Sequence, residues 1–274
     1  MRAQEQLAPV SVVIPCFRCG PTIGRALASV LQQSRKPAEV ILVDDASGDD
    51  TWAVLSDLAR AHPGWVRLLK LESNRGAASA RNAGWAVARQ PYIAFLDADD
   101  AWHPSKIEIQ SDFMAHHPDV VLCGHRHRVL TRADAQPDWT LEQGPQQLIH
   151  KWQLLLENRF VTPSVMLKAG IGQRFAEGRR HMEDRLLWLE IICDGAVVVC
   201  LDLELAATYK LPYGVAGLSS NLWQMARFDI DNYRVLHGTG RLSLLSAGAL
   251  MVFSLLKFVR RLARVMIWRM ARKG

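Results

Sequence analysis

The sequence YIAFLDADD at residues 92–100 joins a short apolar run to three carboxylates, Asp97, Asp99 and Asp100. Carboxylates this close repel each other unless a cation or substrate donors neutralise them. Their oxygens suit hard divalent cations such as Mg²⁺ or Mn²⁺, which would bridge to phosphate oxygens. The alternative is a loop whose acids cap the helix expected after Pro104. The preceding apolar run favours a ligand site, because a strand would aim the carboxylates at one edge of a sheet.

Strand-like and helix-like segments alternate on both sides of this stretch. Spacing of this kind predicts βαβ units and a mostly parallel sheet with helices on both faces. Beyond residue 125 the alternation is less regular. The expected strands are residues 11–16, 40–43, 66–71, 92–96, 120–123, 160–167 and 196–209, and the expected helices are residues 20–31, 51–61, 77–89, 104–113, 148–156 and 181–193.

Polar or unusual residues follow each of the first four predicted strands. Since ligands of open parallel sheets bind at the carboxyl ends of the strands, we expect these residues to share one edge. No Gly-rich phosphate loop follows the first strand, so neither a dinucleotide dehydrogenase nor a P-loop NTPase is indicated. A nucleotide whose phosphates are held by a metal remains possible. The four groups are Pro15 to Arg18, Asp44 to Ser47, Asn74 to Gly76 and Asp97 to Asp100.

The four groups and the segments around them together resemble motifs of the family 2 glycosyltransferases of GT-A fold. They are SVVIPCF at residues 11–17, ILVDDASGDDT at 41–51, NRGAASARNAG at 74–84 and FLDADD at 95–100. A fifth segment, Met182-Glu183-Asp184 followed by Trp188, is similar to the acidic pair of that family. The resemblance covers residues 10 to about 215. It implies a GT-A type Rossmann-like sheet flanked by helices.

The resemblance also implies an inverting transfer of a sugar from a nucleotide diphosphate, with a UDP-sugar as the expected donor. On the donor side, Pro15 and Phe17 would line the base pocket and Asp45 would hold the base or its ribose. Arg75 or Arg81 would lie near the diphosphate. Asp97 would approach the ribose, and Asp99 would hold Mn²⁺ or Mg²⁺.

On the acceptor side, the resemblance implies that Asp184 is the general base. Glu183 would orient Asp184 or the acceptor, and Trp188 would stack on a sugar. From the residues alone, an acidic pair at a helix start more often complements the helix dipole. Two other functions stay open: a sugar nucleotidyltransferase, although a Gly-rich loop would then be expected, and a catalytically inactive, membrane-associated sugar-binding module.

Composition and charge limit the class of protein. Of 274 residues, 49% are hydrophobic and 22% are charged, which is typical of a globular chain. The five cysteines are scattered and predict a reducing compartment. The net charge of +6 is uneven, because nine Lys or Arg and no acid follow Asp231. We therefore expect a catalytic domain over residues 1–231, with nucleotide binding at about 10–125 and acceptor binding at about 126–231, and a basic tail over residues 232–274.

The tail has the pattern of an amphipathic helix. Its basic residues Lys257, Arg260, Arg261, Arg264 and Arg272 fall on one arc, opposite Phe258, Val259, Leu262, Met266 and Met270. This pattern predicts a helix lying on an anionic membrane surface; a helix packed on the protein body is the alternative. No secretory signal is evident, so we expect a peripheral protein on the cytoplasmic face of the membrane, with a glycan or lipid-linked acceptor and no nucleic-acid partner.

Overall fold

The structure is a computed structural model that describes residues 6–132, 135, 137–141, 144–179, 181–209 and 222–271. The chain divides into two compact units, Met1–Leu211 and Pro212–Gly274. The first unit contains a β-sheet with flanking helices, and the second contains two helices. The boundary expected at residue 231 lies inside the first of these two helices.

The described residues of the first unit form a nine-stranded sheet. Its strand order is β3-β2-β1-β4-β8-β6-β9-β5, and β7 pairs with β9. The strands are β1 (Ala8–Cys16), β2 (Pro37–Asp44), β3 (Val66–Lys70), β4 (Tyr92–Phe95), β5 (Ala101–Trp102), β6 (Val120–Leu130), β7 (Gln147–Leu148), β8 (Met166–Lys168) and β9 (Val197–Tyr209). The helices of this unit are α1 (Gly20–Leu31), α2 (Thr51–Ala61), α3 (Ala77–Ala86), α4 (Lys106–His116), α5 (Lys151–Leu156) and α6 (Glu183–Cys193).

The first four strands run parallel to one another, and β6 runs parallel to β9. The short strand β8 runs antiparallel to both β4 and β6. The sheet is therefore mixed, and its parallel part is the first half of the chain. The predicted α/β fold with flanking helices is confirmed. Three loops lie at the carboxyl edge of the parallel strands: the loop between β1 and α1, the loop between β2 and α2, and the acidic loop after β4.

The central strands are buried on both faces, which explains their continuous apolar runs. Helix α3 packs closely on this sheet at Gly84. A β-carbon added at Gly84 would lie 2.5 Å from Val13 Cγ1 and 3.1 Å from Val43 Cγ2. Only glycine allows this approach, and the approach brings α3 and its Arg81 down onto the sheet.

The short strands β5 and β7 were not expected from the sequence, and two further elements differ from the expectation. Strand β6 continues to Leu130 because it pairs with β9 as far as Tyr209. Cross-strand ion pairs of Arg126 with Asp202 and Arg128 with Glu204 support this polar extension. The predicted strand over residues 160–167 is largely a 3-10 turn at Thr162–Ser164, followed by the three residues of β8.

The second unit is a helical pair, α7 (Leu222–Gly238) and α8 (Leu244–Ala271). Asp229 of α7 accepts a hydrogen bond from Ser254 Oγ of α8. It also forms an ion pair with Lys257 Nζ at 3.4 Å. Trp223 packs on Phe258 with ring centroids 5.5 Å apart. These contacts hold one side of α8 against α7. Within the described residues, no helix has the length and apolar character needed to cross a membrane.

Candidate active site

Asp45 ties the end of β2 to the loop before α3. Its Oδ1 accepts the backbone N–H of Arg75 at 2.8 Å, and its Oδ2 accepts that of Gly76 at 2.7 Å. The Asn74 amide donates to the Asp45 carbonyl at 3.2 Å. Asp45 is buried. Two of the predicted motifs are therefore in direct contact, and each Asp45 oxygen keeps a lone pair for a further donor.

Phe17 presents its ring to solvent at the end of β1. The side chain is 46% exposed, which is high for a phenylalanine next to a buried strand. The Arg18 guanidinium carbon lies 5.3 Å from the ring centroid. The Arg18 backbone N–H donates to Ser47 Oγ at 3.1 Å, so the loops after β1 and β2 are joined. Pro15, half-buried, precedes them at the same edge.

The three carboxylates after β4 have different environments. Asp97 pairs with Arg81, and Asp100 is buried and accepts the Tyr209 backbone N–H at 3.0 Å. Asp99 is exposed, and its backbone carbonyl accepts a hydrogen bond from Arg25. The Arg25 guanidinium lies 3.6 Å from the centroid of the Tyr209 ring. Protein donors thus bind the carboxylates of Asp97 and Asp100.

Asp99 could provide one carboxylate ligand to a metal ion at the edge of the sheet. Among the described residues, no group of three or more His, Cys, Asp or Glu side chains is arranged to hold a metal ion. Mg²⁺ is commonly bound by one or two carboxylates together with substrate phosphates. The exposed carboxylate of Asp99 fits that mode of binding, in which the substrate completes the coordination.

Arg81 connects the acidic loop to the start of α6. It is only 4% exposed, and its guanidinium donates to Asp97 Oδ1 at 2.7 Å and to Glu183 Oε1 at 3.0 Å. Burial lowers the pKa of Arg81, but the attraction of Asp97 and Glu183 outweighs it and raises the pKa overall. The guanidinium also lies 5.3 Å from the Phe175 ring centroid. Arg81 is therefore a fixed cation between two carboxylates.

Asp184 stands next to this network in the first turn of α6. Its Oδ1 accepts the Arg185 backbone N–H at 2.7 Å, and its Oδ2 accepts the Thr162 hydroxyl at 3.3 Å. Burial and the charge of Glu183 raise the pKa of Asp184 to about 6, although the Arg185 N–H and Arg81 act in the opposite direction. A carboxylate with such a pKa is mostly ionised at neutral pH and is a stronger base than an ordinary aspartate.

Backbone strain is concentrated at this edge of the sheet. Among the described residues, the non-glycine residues with positive φ are Arg18 at 49°, Ala46 at 53° and Met182 at 58°. Each lies in a loop that carries predicted site residues: the first two lie after β1 and β2, and Met182 directly precedes Glu183. Such conformations cost free energy and persist where the surrounding structure requires them.

Three predicted site residues are placed differently from the expectation. Arg75 points to Glu177 and forms an exposed ion pair with it, while Arg81 is buried between carboxylates rather than presented to a diphosphate. Trp188 is fully buried and packs edge-on against Phe175 at 5.9 Å. A ring enclosed in the core offers no face to a sugar, so Trp188 is a packing residue in this structure.

The structure adds three residues that the sequence reasoning did not place here, two through their side chains and Tyr209 through its backbone N–H. Thr162 contacts Asp184, while Arg25 and Tyr209 support the acidic loop. None of them carries a local signal, because each acts through a partner far away in the chain. The ion pairs of Arg81 did have a local sequence signal. An arginine among small residues on the buried face of α3 needs a buried counter-charge.

Comparison with known proteins places these motifs in a family. The model of glycosyl transferase family 2 matches residues 11–167. A putative teichuronic acid biosynthesis glycosyltransferase of Bacillus subtilis, TuaG, is 31% identical over 221 residues, which are 80% of this chain and 84% of TuaG. The Escherichia coli UDP-Glc:alpha-D-GlcNAc-diphosphoundecaprenol beta-1,3-glucosyltransferase WfaP is 39% identical over 107 residues, and the match spans 38% of this chain and only 41% of WfaP.

A solved structure shares the fold. The S. aureus TarS fragment 1-349 in complex with UDP-GlcNAc aligns with a TM-score of 0.67, covering 90% of this chain and 71% of that one at 17% identity. At this identity the likeness concerns the fold alone. Together with the family match over more than half of the chain, the motifs at the carboxyl edge identify this protein as a member of glycosyl transferase family 2 and an enzyme of the glycosyltransferase class.

Proposed function

We propose that this enzyme transfers a sugar, with inversion, from a UDP-sugar to a lipid-linked glycan acceptor in a metal-dependent reaction of cell-surface polysaccharide or lipopolysaccharide synthesis. The observation that carries the proposal is the Asp97–Arg81–Glu183 network with Asp184 beside it. It joins the end of β4, where the donor would lie, to a base of suitable pKa. The names of WfaP and TarS support the donor class, since one contains UDP-Glc and the other was solved with UDP-GlcNAc.

The loops after β1 and β2 supply a nucleotide site. The exposed ring of Phe17 offers an apolar face to the base, next to Pro15. The carboxylate of Asp45, fixed by two backbone N–H groups, has the remaining acceptor capacity to bind an N–H of the base or a ribose hydroxyl. The fixed orientation of Asp45 lowers the entropy lost on binding.

Asp99 would hold Mn²⁺ or Mg²⁺ together with the diphosphate of the donor. The bound ion would supply positive charge to neutralise the leaving diphosphate. Asp97, held by Arg81, is left to accept a hydrogen bond from the ribose. Arg75 reaches solvent at the same edge, so a diphosphate could compete with Glu177 for its guanidinium.

Asp184 would act as the general base. Its carboxylate takes the proton of the acceptor hydroxyl while that oxygen forms a bond to the anomeric carbon. The bond from the anomeric carbon to the diphosphate oxygen breaks, and UDP leaves with the electron pair. Because attack and departure occur on opposite sides, the configuration inverts. Glu183, paired with Arg81, fixes the first turn of α6 and so positions Asp184.

Thermal shift with UDP, with and without Mn²⁺, tests the donor and metal sites. The unmodified enzyme should melt at a higher temperature with UDP, and Mn²⁺ should increase this stabilisation. In Asp99→Asn the increase from Mn²⁺ should disappear. Asp119→Asn, at an exposed aspartate away from the motifs, should behave like the unmodified enzyme. No response to UDP under any condition, as an inactive relative without a nucleotide site would show, contradicts the proposal.

A further inference from the structure

Helix α8 has an exposed apolar face over its first sixteen residues. Of the large side chains on this helix, Leu245 is 86% exposed and Leu256 is 63% exposed. At about 100° per residue, the exposed face covers an arc of roughly 120°. It consists of Leu244, Leu245, Val252, Leu255, Leu256 and Val259, with the small residues Gly248 and Ala249 at its centre and margin. We refer to these residues as the α8 stripe.

The opposite side of α8 is used for packing. Ala247, Leu250 and Ser254 are buried, and Ser254 and Lys257 both bind Asp229 of α7. The helix is thus held by one face while the other displays leucine and valine side chains to solvent. A contiguous apolar surface of this kind usually marks an interaction site.

The charge of α8 indicates which kind of partner would cover the α8 stripe. Over residues 244–271 the sequence contains five Lys or Arg and no Asp or Glu. Arg260 and Arg261 are exposed directly beyond the stripe. Two copies of the chain joined in parallel through their stripes would bring these basic residues together, and in either orientation α8 offers no acid to neutralise them. The headgroups of an anionic lipid surface would provide the missing negative charge.

We infer that the α8 stripe inserts into the interface of an anionic membrane, with α7 as the platform that presents it. The apolar surface thus begins at Leu244, well before the arc of Phe258 to Met270 that the sequence pattern indicates. Phe258 itself packs against Trp223 of α7. The basic residues then lie at the level of the headgroups while the leucines reach the acyl chains. The inference is independent of which donor the enzyme uses.

Co-sedimentation with vesicles tests the inference on the full chain. Phosphatidylglycerol vesicles should pellet the protein at low salt, phosphatidylcholine vesicles should pellet much less, and binding should weaken as salt rises. Each basic residue near the surface contributes about fivefold to partitioning. The double variant Leu245→Glu with Leu256→Glu should lose about tenfold or more per substitution. Both glutamates suit the helix, one in its first turn and one four residues before Arg260.

A matched control replaces two exposed leucines elsewhere, Leu7→Glu with Leu148→Glu, which should bind vesicles like the unmodified protein. Sedimentation equilibrium and a UDP thermal shift are measured on the same samples. Equal vesicle binding by the α8 variant and the unmodified protein overturns the inference. So does a dimer that the α8 variant dissociates while phosphatidylglycerol vesicles fail to bind the unmodified protein. Loss of the UDP response alone concerns the proposed function and leaves this inference standing.

Discussion

Asp97 and Glu183 share one buried guanidinium, that of Arg81, at 2.7 and 3.0 Å. Asp97 follows β4 and Glu183 begins α6, so a single side chain joins two parts of the site that are far apart in the sequence. Asp184 lies in the field of the same groups. Arg81 therefore sets both the position of α6 and the electrostatic environment of the proposed base.

Replacing Arg81 should be costly for stability. In Arg81→Ala, two partly buried carboxylates lose the buried cation that they share, and we expect a loss of about 3–5 kcal/mol in the free energy of unfolding. Arg75→Ala is the control, since its pair with Glu177 is exposed and should contribute only about 0–1 kcal/mol. Urea denaturation of both variants gives the comparison. Similar losses in the two would show that Arg81 is not a buried linker.

The raised pKa of Asp184 predicts the pH dependence of the reaction. As the proposed base, Asp184 would have to be ionised, so kcat/KM should fall about tenfold per unit below pH 6 and level off above it. Thr162→Val removes a hydrogen bond to the carboxylate and should move this inflection upward while the enzyme stays folded. A profile with no inflection between pH 5 and 7 would assign the base to another group.

The same pKa has an opposite consequence for stability. A group whose pKa is higher in the folded state contributes stability at low pH, and that contribution is lost as pH rises through the folded value, here about 6. Asp184→Asn should therefore melt at a higher temperature than the unmodified enzyme at pH 7, and the difference should shrink toward pH 4. Thermal melts across this range measure it. A lower melting temperature at pH 7 would contradict the assigned shift.

Gly84 should be required for packing rather than for chemistry. An alanine there would crowd Val13 and Val43, and overpacking of this kind typically costs about 1–3 kcal/mol. Gly24 of α1 is the matched control, because a β-carbon there meets no atom within 4 Å. Gly24→Ala should be neutral or stabilise the protein by up to about 1 kcal/mol. Equal effects of the two substitutions would mean that α3 can move away from the sheet at little cost.

The sequence was sufficient for the elements whose causes are local. The apolar runs of β1, β2 and β4, each followed by polar residues, predict both the strands and the edge at which Phe17, Asp45 and Asp99 gather. The family resemblance then related these positions to a reaction. In this half of the chain, periodicity and motif order carry nearly all of the information.

Features that depend on residues far away in the chain could not be predicted from the sequence pattern. The polar end of β6 is a strand because Arg126 and Arg128 meet acids of β9. Trp188 shares a helix with Asp184, and only the packing of Phe175 shows that its ring faces the core. Similarly, the spacing of Arg75 and Arg81 does not reveal which is exposed and which is enclosed by carboxylates.

Donor binding and proton removal should be separable in this enzyme, because the residues proposed for them lie on different elements. Single-turnover transfer from the proposed UDP-sugar donor to the proposed lipid-linked acceptor should be measured for the unmodified enzyme and for Asp184→Asn, together with UDP affinity on the same preparations. We predict that the variant binds UDP as tightly as the unmodified enzyme and transfers sugar about 10²- to 10⁴-fold more slowly. Transfer by Asp184→Asn at the unmodified rate would contradict the account, because the proton acceptor would then be a different group.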